Sequence, residues 1–211
     1  MPDDDAVKRR ARADLCRFLA ACYYQPCHEF VEERLFDSML QAAGRIHPDL
    51  VAAARRLGEA FSAQGLESLL IDYTRLFLGP VEALAKPYGS VWLTGEKTLM
   101  QDSTMAVLEL YHEGGFDMDE EFRELPDHVA AELEFLYLLI HKENEALTAS
   151  DADAAAAVAE LKRRFLEKHV GKWISPFAGA VRAGAQSPFY RELADLTKRF
   201  VTMQTIAEDG A

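Results

Sequence analysis

Residues 126–147, with the sequence PDHVAAELEFLYLLIHKENEAL, are the stretch that decides the fold class. Pro126 suits the first turn of a helix, because the N–H that proline lacks has no partner in that turn. The residues behind it are rich in alanine and leucine, which favour helix, and predict a helix that continues to about Leu147. The whole chain shares this bias, since alanine and leucine are plentiful and β-branched runs are scarce.

Seven further helices are predicted from apolar spacing, caps and stop signals. Thr94 is a predicted N-cap, Ser187-Pro188 opens the last helix, and Pro176 with Gly179 predicts a bend or break. The seven cover approximately residues 5–24, 30–43, 48–65, 66–78, 95–112, 151–173 and 188–205. With no strand pattern or repeat, the sequence predicts one domain over residues 1–211, an all-α bundle of roughly eight to ten helices.

The charge balance narrows the possible partners. The chain of 211 residues has a net charge of −12, which repels nucleic acid and anionic lipid and attracts basic segments. Plain solubility is the alternative explanation for this acidity. The three cysteines are odd in number and are not spaced as zinc ligands, so nothing indicates an oxidising compartment.

The sequence also predicts a cytoplasmic protein. No run approaches the ~18 apolar residues that a membrane span requires. The arginine pair at residues 9–10 imitates the start of a twin-arginine signal, but Asp14 and Arg17 interrupt the place of the apolar region.

A metal site is the first chemical hypothesis. Glu109 and His112 form a Glu-x-x-His element, the type of motif that di-iron bundles use twice, and His128 and Glu132 could add ligands from another helix. The alternative is that these are ordinary polar residues near helix ends, since a single motif is weak. A metal-dependent helical oxidoreductase is therefore the rival hypothesis, although no nucleophile elbow or phosphate-binding glycine loop is present and we expect no enzyme.

A proline- and glycine-punctuated segment, residues 87–92, is a candidate binding loop. Tyr88 and Trp92 offer apolar area together with a hydrogen-bonding group, as residues in binding loops often do. The alternative is that both rings pack the loop onto the core. We call residues 87–92 the aromatic loop.

The turn Pro126-Asp127-His128 is the second candidate. An aspartate in the first turn of a helix is favoured by the helix dipole, which is one explanation of Asp127. The other is that Asp127, Glu132 and the acidic segment 117–124 form a negative rim that binds guanidinium groups in bidentate fashion. His128 beside them could report pH or donate a hydrogen bond.

Three blocks of sequence resemble the TorD/DmsD/NarJ family of redox-enzyme maturation chaperones. They are YTRLFLGP at 73–80 followed by PYGSVW at 87–92, then ELPDH at 124–128 with ELEF at 132–135, and finally FLEKHVGKW at 165–173 followed by Phe177. Their order and spacing also fit, so the resemblance covers nearly the whole chain.

The resemblance implies a cytoplasmic chaperone without turnover and without a cofactor. Proteins of this family bind the twin-arginine signal of a molybdopterin oxidoreductase and delay its export until the cofactor is inserted. Guanine nucleotide and molybdenum cofactor have been suggested as ligands of relatives, but no element of this sequence supports either. The family's signal-binding residues match Tyr88, Trp92, Pro126, Asp127 and His128 here, with Phe77 and Glu132 as further candidates.

Two further possibilities follow from the resemblance. A monomer is expected, although family members form domain-swapped dimers and residues 79–90 could serve as the hinge. An assembly factor that binds only the mature apoenzyme, and ignores the signal, is a third candidate function.

Overall fold

Helices make up nearly all of the regular structure in the computed structural model, which describes residues 4–79, 82–93, 102–118 and 123–209. In these residues nine helices are eight or more residues long and two are short, and the only β feature is an isolated antiparallel bridge between Tyr88 and His128. In chain order the helices are α1 (Asp4–Ala21), α2 (Glu29–Glu32), α3 (Leu35–Ile46), α4 (Pro48–Ser62), α5 (Leu66–Tyr73), α6 (Gly89–Leu93), α7 (Asp102–Gly114), α8 (Val129–Thr148), α9 (Ala152–Lys168), α10 (Val170–Gly184) and α11 (Pro188–Asp209). The prediction of an all-α bundle is confirmed.

Helices α1 and α8 form the most extensive pair of the fold. Leu15 and Leu19 of α1 and Leu133 and Leu136 of α8 are fully buried, and each such side chain stabilises the fold by ~1.5–3 kcal/mol relative to its exposed state. Helix α3 packs on α1 and α9 packs on α8, while α11 packs on both α10 and α4. This arrangement holds the first turn of α8, which follows the Pro-Asp-His turn, inside the bundle. No helix in the described ranges is long and apolar enough to span a membrane.

The second predicted helix is two helices, so the prediction of a continuous helix over 30–43 is wrong. Arg34 has a left-handed backbone conformation (φ 53°) between α2 and α3, which no α-helix accommodates. Helix α3 then continues past Gly44 to Ile46, because His47 is the residue that turns to an extended conformation. Pro48 explains this end, since a proline disfavours helical geometry in the residue before it.

The helix predicted over 66–78 passes from an α-helix into a π-helix. After α5, residues Thr74–Leu78 form a π-helical segment that ends at Gly79. Gly79 has a φ of 63°, and a Cβ there would lie 2.4 Å from the backbone of Glu82 and Ala83, so only glycine fits. The periodicity of the sequence does not reveal this bulge.

The C-terminal helices divide at a different residue from the predicted one. The predicted helix over 151–173 ends at Lys168, because His169 leaves helical geometry (φ −124°, ψ −120°). Helix α10 begins immediately afterwards and continues through Pro176 and Gly179, so the predicted break there is wrong. The cap at Ser187 is confirmed, since its Oγ accepts a hydrogen bond from Tyr190 N–H at 3.2 Å.

Other predicted features fall partly outside the described residues. The predicted cap at Thr94 lies outside them, as do residues 119–122 of the acidic segment. The segment 79–90, predicted to be irregular, contains the start of the short helix α6. Helix α8 begins at Val129, three residues after Pro126.

One buried carboxylate ties α5 to the start of α11. Asp72 is 2% exposed, and its Oδ2 accepts hydrogen bonds from Ser187 N–H at 2.7 Å and Gln186 N–H at 3.0 Å, while its Oδ1 accepts one from Arg75 at 2.7 Å. Backbone N–H groups at a helix start have no intrahelical partner. Asp72 therefore supplies from another helix the acceptors that this start requires.

Replacing Asp72 by alanine should lower the free energy of unfolding by about 2–4 kcal/mol, because buried donors lose their acceptor. Asp37→Ala is the matched control, since Asp37 pairs with Arg34 in solvent and its loss should cost less than about 1 kcal/mol. Urea unfolding followed by circular dichroism measures both. Equal losses in the two variants would contradict this role of Asp72.

Candidate functional site

The structure joins the two candidate segments of the sequence into one site. Gly89 N–H donates to Asp127 O, and Val129 N–H donates to Pro87 O, both at 2.8 Å. These bonds frame the bridge between Tyr88 and His128. The aromatic loop therefore lies directly against the Pro-Asp-His turn, although more than thirty residues separate them along the chain.

Asp127 is covered by the aromatic loop. Its side chain is 1% exposed, and its Oδ2 accepts a hydrogen bond from Ser90 N–H at 2.8 Å. Its Oδ1 has no hydrogen-bond partner. The carboxylate thus meets the first turn of α6 rather than solvent, so the part of the predicted negative rim that Asp127 supplies is buried in this conformation, whereas Asp117 is exposed.

His128, and not Asp127, caps helix α8. Its Nδ1 accepts a hydrogen bond from Ala130 N–H at 3.2 Å, so this nitrogen carries no proton. The ring packs edge-on against Tyr88 and stacks with Tyr24. Burial lowers the pKa of His128 to about 4, against the opposing influence of the neighbouring Glu124 and Asp127 carboxylates.

Glu132 is a fully buried carboxyl group in the first turn of α8. Its Oε2 accepts a hydrogen bond from the Trp173 indole at 3.0 Å, and its Oε1 has no hydrogen-bond partner. Burial raises the pKa of Glu132 well above its usual value, against the lowering influence of hydrogen bonds from Trp173 and the Val170 backbone, and the nearby Asp127 raises it further. We call Asp127 and Glu132 the carboxyl pair.

Gly89 separates the aromatic loop from this pair. A Cβ at Gly89 would lie 2.8 Å from Trp173 Nε1 and 2.9 Å from Glu132 Oε1. The close approach of the backbone requires glycine at this position, because real Cβ atoms do not come so near. The loop is therefore seated on the carboxyl pair through its main chain.

The rings of the aromatic loop pack on the core, as the second explanation predicts, and both remain partly exposed. Tyr88 is half-buried and its hydroxyl donates to Glu124, while Trp92 is half-buried, donates from Nε1 to Lys86 O at 2.9 Å, and contacts Phe177. Each ring packs on the core with one side and leaves part of its surface to solvent. Phe77 differs, because it is 4% exposed within an aromatic cluster with Tyr23, Tyr73, Phe177 and Tyr190.

The site holds several carboxyl groups, and none of them is paired with a cation in the ranges that the structure describes. In the described part of the chain, four acidic side chains bond only to neutral donors. They are Glu124, Asp127, Glu132 and Glu134, with the Tyr88 hydroxyl, the Ser90 N–H, the Trp173 indole and the Tyr24 hydroxyl as the respective donors. Such an arrangement favours a cationic ligand, because each carboxylate retains acceptor capacity that charged donors would use.

Sequence reasoning missed three residues of the site. His169 is 3% exposed, its Nδ1 has no hydrogen-bond partner, and burial lowers its pKa to about 4. Trp173 holds Glu132, and the Tyr111 hydroxyl donates to Pro126 O at 2.8 Å. His169 and Trp173 belong to the third block of the family resemblance, which was the available signal, whereas nothing in the sequence marks Tyr111.

The rival metal site is wrong. Glu109 and His112 are exposed on α7, whereas His128 and Glu132 are buried at the start of α8. Among the described residues, no three His, Cys, Asp or Glu side chains come together as a metal-binding group. The motif at 109–112 is therefore an ordinary pair of polar helix residues.

Comparison with known proteins places the chain in a family. A family model described as nitrate reductase delta subunit matches residues 42–179. The Tat proofreading chaperone DmsD of Salmonella typhimurium is 29% identical over 204 residues, which cover 93% of this chain and 86% of that protein. The chaperone protein TorD of Vibrio parahaemolyticus is 31% identical over 157 residues (74% of this chain and 70% of that protein). The perchlorate reductase assembly chaperone protein of Dechloromonas aromatica is 30% identical over 164 residues (74% and 72%).

A solved structure agrees on the fold. The crystal structure of a protein described as a redox enzyme maturation protein from Archaeoglobus fulgidus superposes with a TM-score of 0.53 at 21% identity, covering 90% of this chain and 92% of that one. The fold and the relatives together define a maturation chaperone and not an enzyme. The chain belongs to the nitrate reductase delta subunit family, which is the TorD/DmsD/NarJ group recognised from its three sequence blocks.

Replacing Gly89 by alanine should lower the free energy of unfolding by about 1–3 kcal/mol, because the added methyl group collides with Trp173 and Glu132. Gly44→Ala is the matched control. Gly44 lies inside α3, and a Cβ there meets nothing within 4 Å, so alanine should raise stability by about 0.5–1 kcal/mol. Urea unfolding compares the two, and a stabilising effect of alanine at both positions would contradict the close approach at Gly89.

Titration of His128 and His169 should lower stability as the pH falls from about 6.5 towards 4, because folding holds both rings neutral while the unfolded chain takes up protons. Glu132 acts in the opposite direction, because its pKa is raised in the folded state, and it is present in both proteins compared below. His128→Asn keeps a capping side chain and removes one of these titrations. On going from pH 7 to pH 5, the free energy of unfolding of this variant should therefore shift less in the destabilising direction than that of the wild type. An equal loss in the two proteins would show that His128 does not contribute.

Proposed function

We propose that this protein is a cytoplasmic chaperone that binds the twin-arginine signal peptide and the apo form of a molybdopterin oxidoreductase, and delays export until the cofactor is inserted. The client class is inferred from the relatives, whose names include a Tat proofreading chaperone and an assembly chaperone for perchlorate reductase. The chain itself supplies the arguments that follow.

The main support for the proposal is the unsatisfied hydrogen-bonding capacity of the carboxyl pair. Asp127 and Glu132 each have one carboxyl oxygen without a hydrogen-bond partner, and Glu124 adds a third acidic group at the edge of the site. A guanidinium group presents five N–H donors in a planar fork that matches a carboxylate. Two neighbouring arginines therefore fit a site that holds two neighbouring carboxyl groups, neither of which is paired with a cation among the described residues.

The surface around the pair supports the apolar half of the proposal. Tyr88, Trp92 and Pro126 are each half-buried, so they present ring surface at the border of the acidic site. A signal peptide has an apolar stretch after its arginines, and such a segment binds grooves that combine apolar walls with a charged edge. Phe77 lies beneath this surface, and we infer that it supports the rings from the core rather than contacting the peptide.

The remaining predictions about the whole molecule stay predictions. These are a monomeric chaperone of one domain, with residues 79–90 as the segment that would exchange in a swapped dimer. A factor that binds only the mature apoenzyme is the alternative function. Deleting the signal peptide from the client distinguishes the two, because the proposed chaperone then loses affinity and the alternative factor does not.

Asp127→Asn should weaken binding of a twin-arginine signal peptide by roughly tenfold and reduce its dependence on salt, since the charged acceptor is lost. The fold should survive, because the asparagine oxygen can still accept the hydrogen bond from Ser90. Isothermal titration calorimetry at two salt concentrations measures both effects. The peptides are synthetic signal sequences of the molybdoenzyme precursors from the same genome.

Asp153→Asn is the control for the change in net charge, since Asp153 is exposed in the first turn of α9. This variant should bind like the wild type. Peptides with lysines in place of both arginines should bind more weakly, because lysine lacks the bidentate fork. If Asp127→Asn leaves both the affinity and the salt dependence unchanged, Asp127 does not meet an arginine.

A further inference from the structure

The aromatic loop already occupies the side of Asp127 that a ligand would need. The Ser90 N–H donates a hydrogen bond to one carboxylate oxygen of Asp127 at 2.8 Å, and the Gly89 N–H donates one to the Asp127 carbonyl oxygen at the same distance. Val129 N–H closes the other side of the contact through Pro87 O. We call these three hydrogen bonds the latch.

The side chains beneath the latch have polar atoms that make no hydrogen bond. Asp127 Oδ1, Glu132 Oε1 and His169 Nδ1 are buried and have no hydrogen-bond partner. All three side chains are at most 3% exposed. Each buried polar atom without a partner costs free energy that a ligand could recover.

While the latch is closed, a ligand cannot reach the carboxyl pair. Glu132 lies under Gly89, since a Cβ on Gly89 would come within 2.9 Å of its Oε1. No guanidinium group can reach that oxygen while the loop is seated. A ligand must therefore either bind outside the loop without touching the carboxyl pair, or displace the loop.

We propose that the latch holds the chaperone in a closed state, and that the twin arginines of the signal peptide open it by displacing the loop, so that guanidinium N–H groups take the place of the Ser90 N–H at the carboxyl pair and the Gly89 N–H leaves the Asp127 carbonyl. This inference rests on the proposed function. The exchange conserves the type of interaction, because N–H donors of the loop give way to N–H donors of guanidinium. The incoming donors are charged and form the stronger hydrogen bonds.

A closed state weakens the apparent affinity for the peptide. The apparent dissociation constant equals the intrinsic constant divided by the fraction of molecules that are open. Mutations that strain only the closed state raise this fraction. They should therefore tighten binding while they lower stability, a combination that a purely structural contact does not produce.

Two variants loosen the latch in different ways. Gly89→Ala places a methyl group against Trp173 and Glu132 in the closed state. Ser90→Pro removes the N–H that donates to Asp127 and disfavours the helical geometry of Gly89 in the seated loop. Each should lower the dissociation constant for a twin-arginine peptide by up to about tenfold, whereas Gly44→Ala should leave it unchanged.

Hydrogen exchange provides a readout in the wild-type protein itself. The amide protons of Gly89, Ser90 and Val129 are protected by the latch, so NMR-detected exchange should become faster at Gly89 and Ser90 when the peptide saturates the protein. Protection inside the α1–α8 pair should stay the same. If the peptide bound over a closed loop, all three amides would exchange more slowly instead.

The experimental outcomes test the latch and the proposed function separately. Tighter binding by both variants with faster exchange at Gly89 and Ser90 supports the latch. The latch is overturned if the wild type binds the peptide, both folded variants bind it no more tightly, and the amides of the wild type exchange more slowly in the complex. The proposed function is left intact by that result. Absence of binding by the wild type and both variants, across the peptide panel, overturns both.

Discussion

The contact between Asp127 and the backbone of the aromatic loop is the interaction on which the site depends. It gives the first turn of α6 an acceptor, it covers Glu132, and it sets Tyr88 and Trp92 half in solvent. Helix α6 has only five residues, a length that is unstable in isolation, so it depends on this contact together with its packing on α10 and α7. Three hydrogen bonds between the aromatic loop and the Pro-Asp-His turn help to stabilise this short helix.

Burying carboxyl groups in this way costs stability. A buried polar atom without a partner costs about 1–3 kcal/mol, and the described residues around the site contain several. A site optimised for stability alone would place apolar side chains here, as replacements of buried ion pairs in other proteins demonstrate. The cost is understandable if the groups are kept for a cation that arrives with a client, because the ligand then restores the missing partners.

The rest of the fold holds this costly site in position. Helices α1 and α8 pack through fully buried leucines, and Asp72 fastens the start of α11 to α5. Trp173 reaches from α10 to hold Glu132, and Tyr111 reaches from α7 to hold the Pro126 carbonyl. The neutral His128 caps α8 and lies between two tyrosines, so the turn that carries Asp127 is held from both sides.

Local propensity and residues close in the chain were enough to predict the helical class, the cap at Ser187 and the segments that build the site. The sequence did not reveal the π-helical turn after Tyr73 or the division at His169, where packing overrides a continuous apolar pattern. It also placed Asp127 on an open rim, since a carboxylate in a first helical turn is ordinarily exposed. The burial of this carboxylate under a loop more than thirty residues away results from contacts between distant segments, which no local pattern in the sequence records.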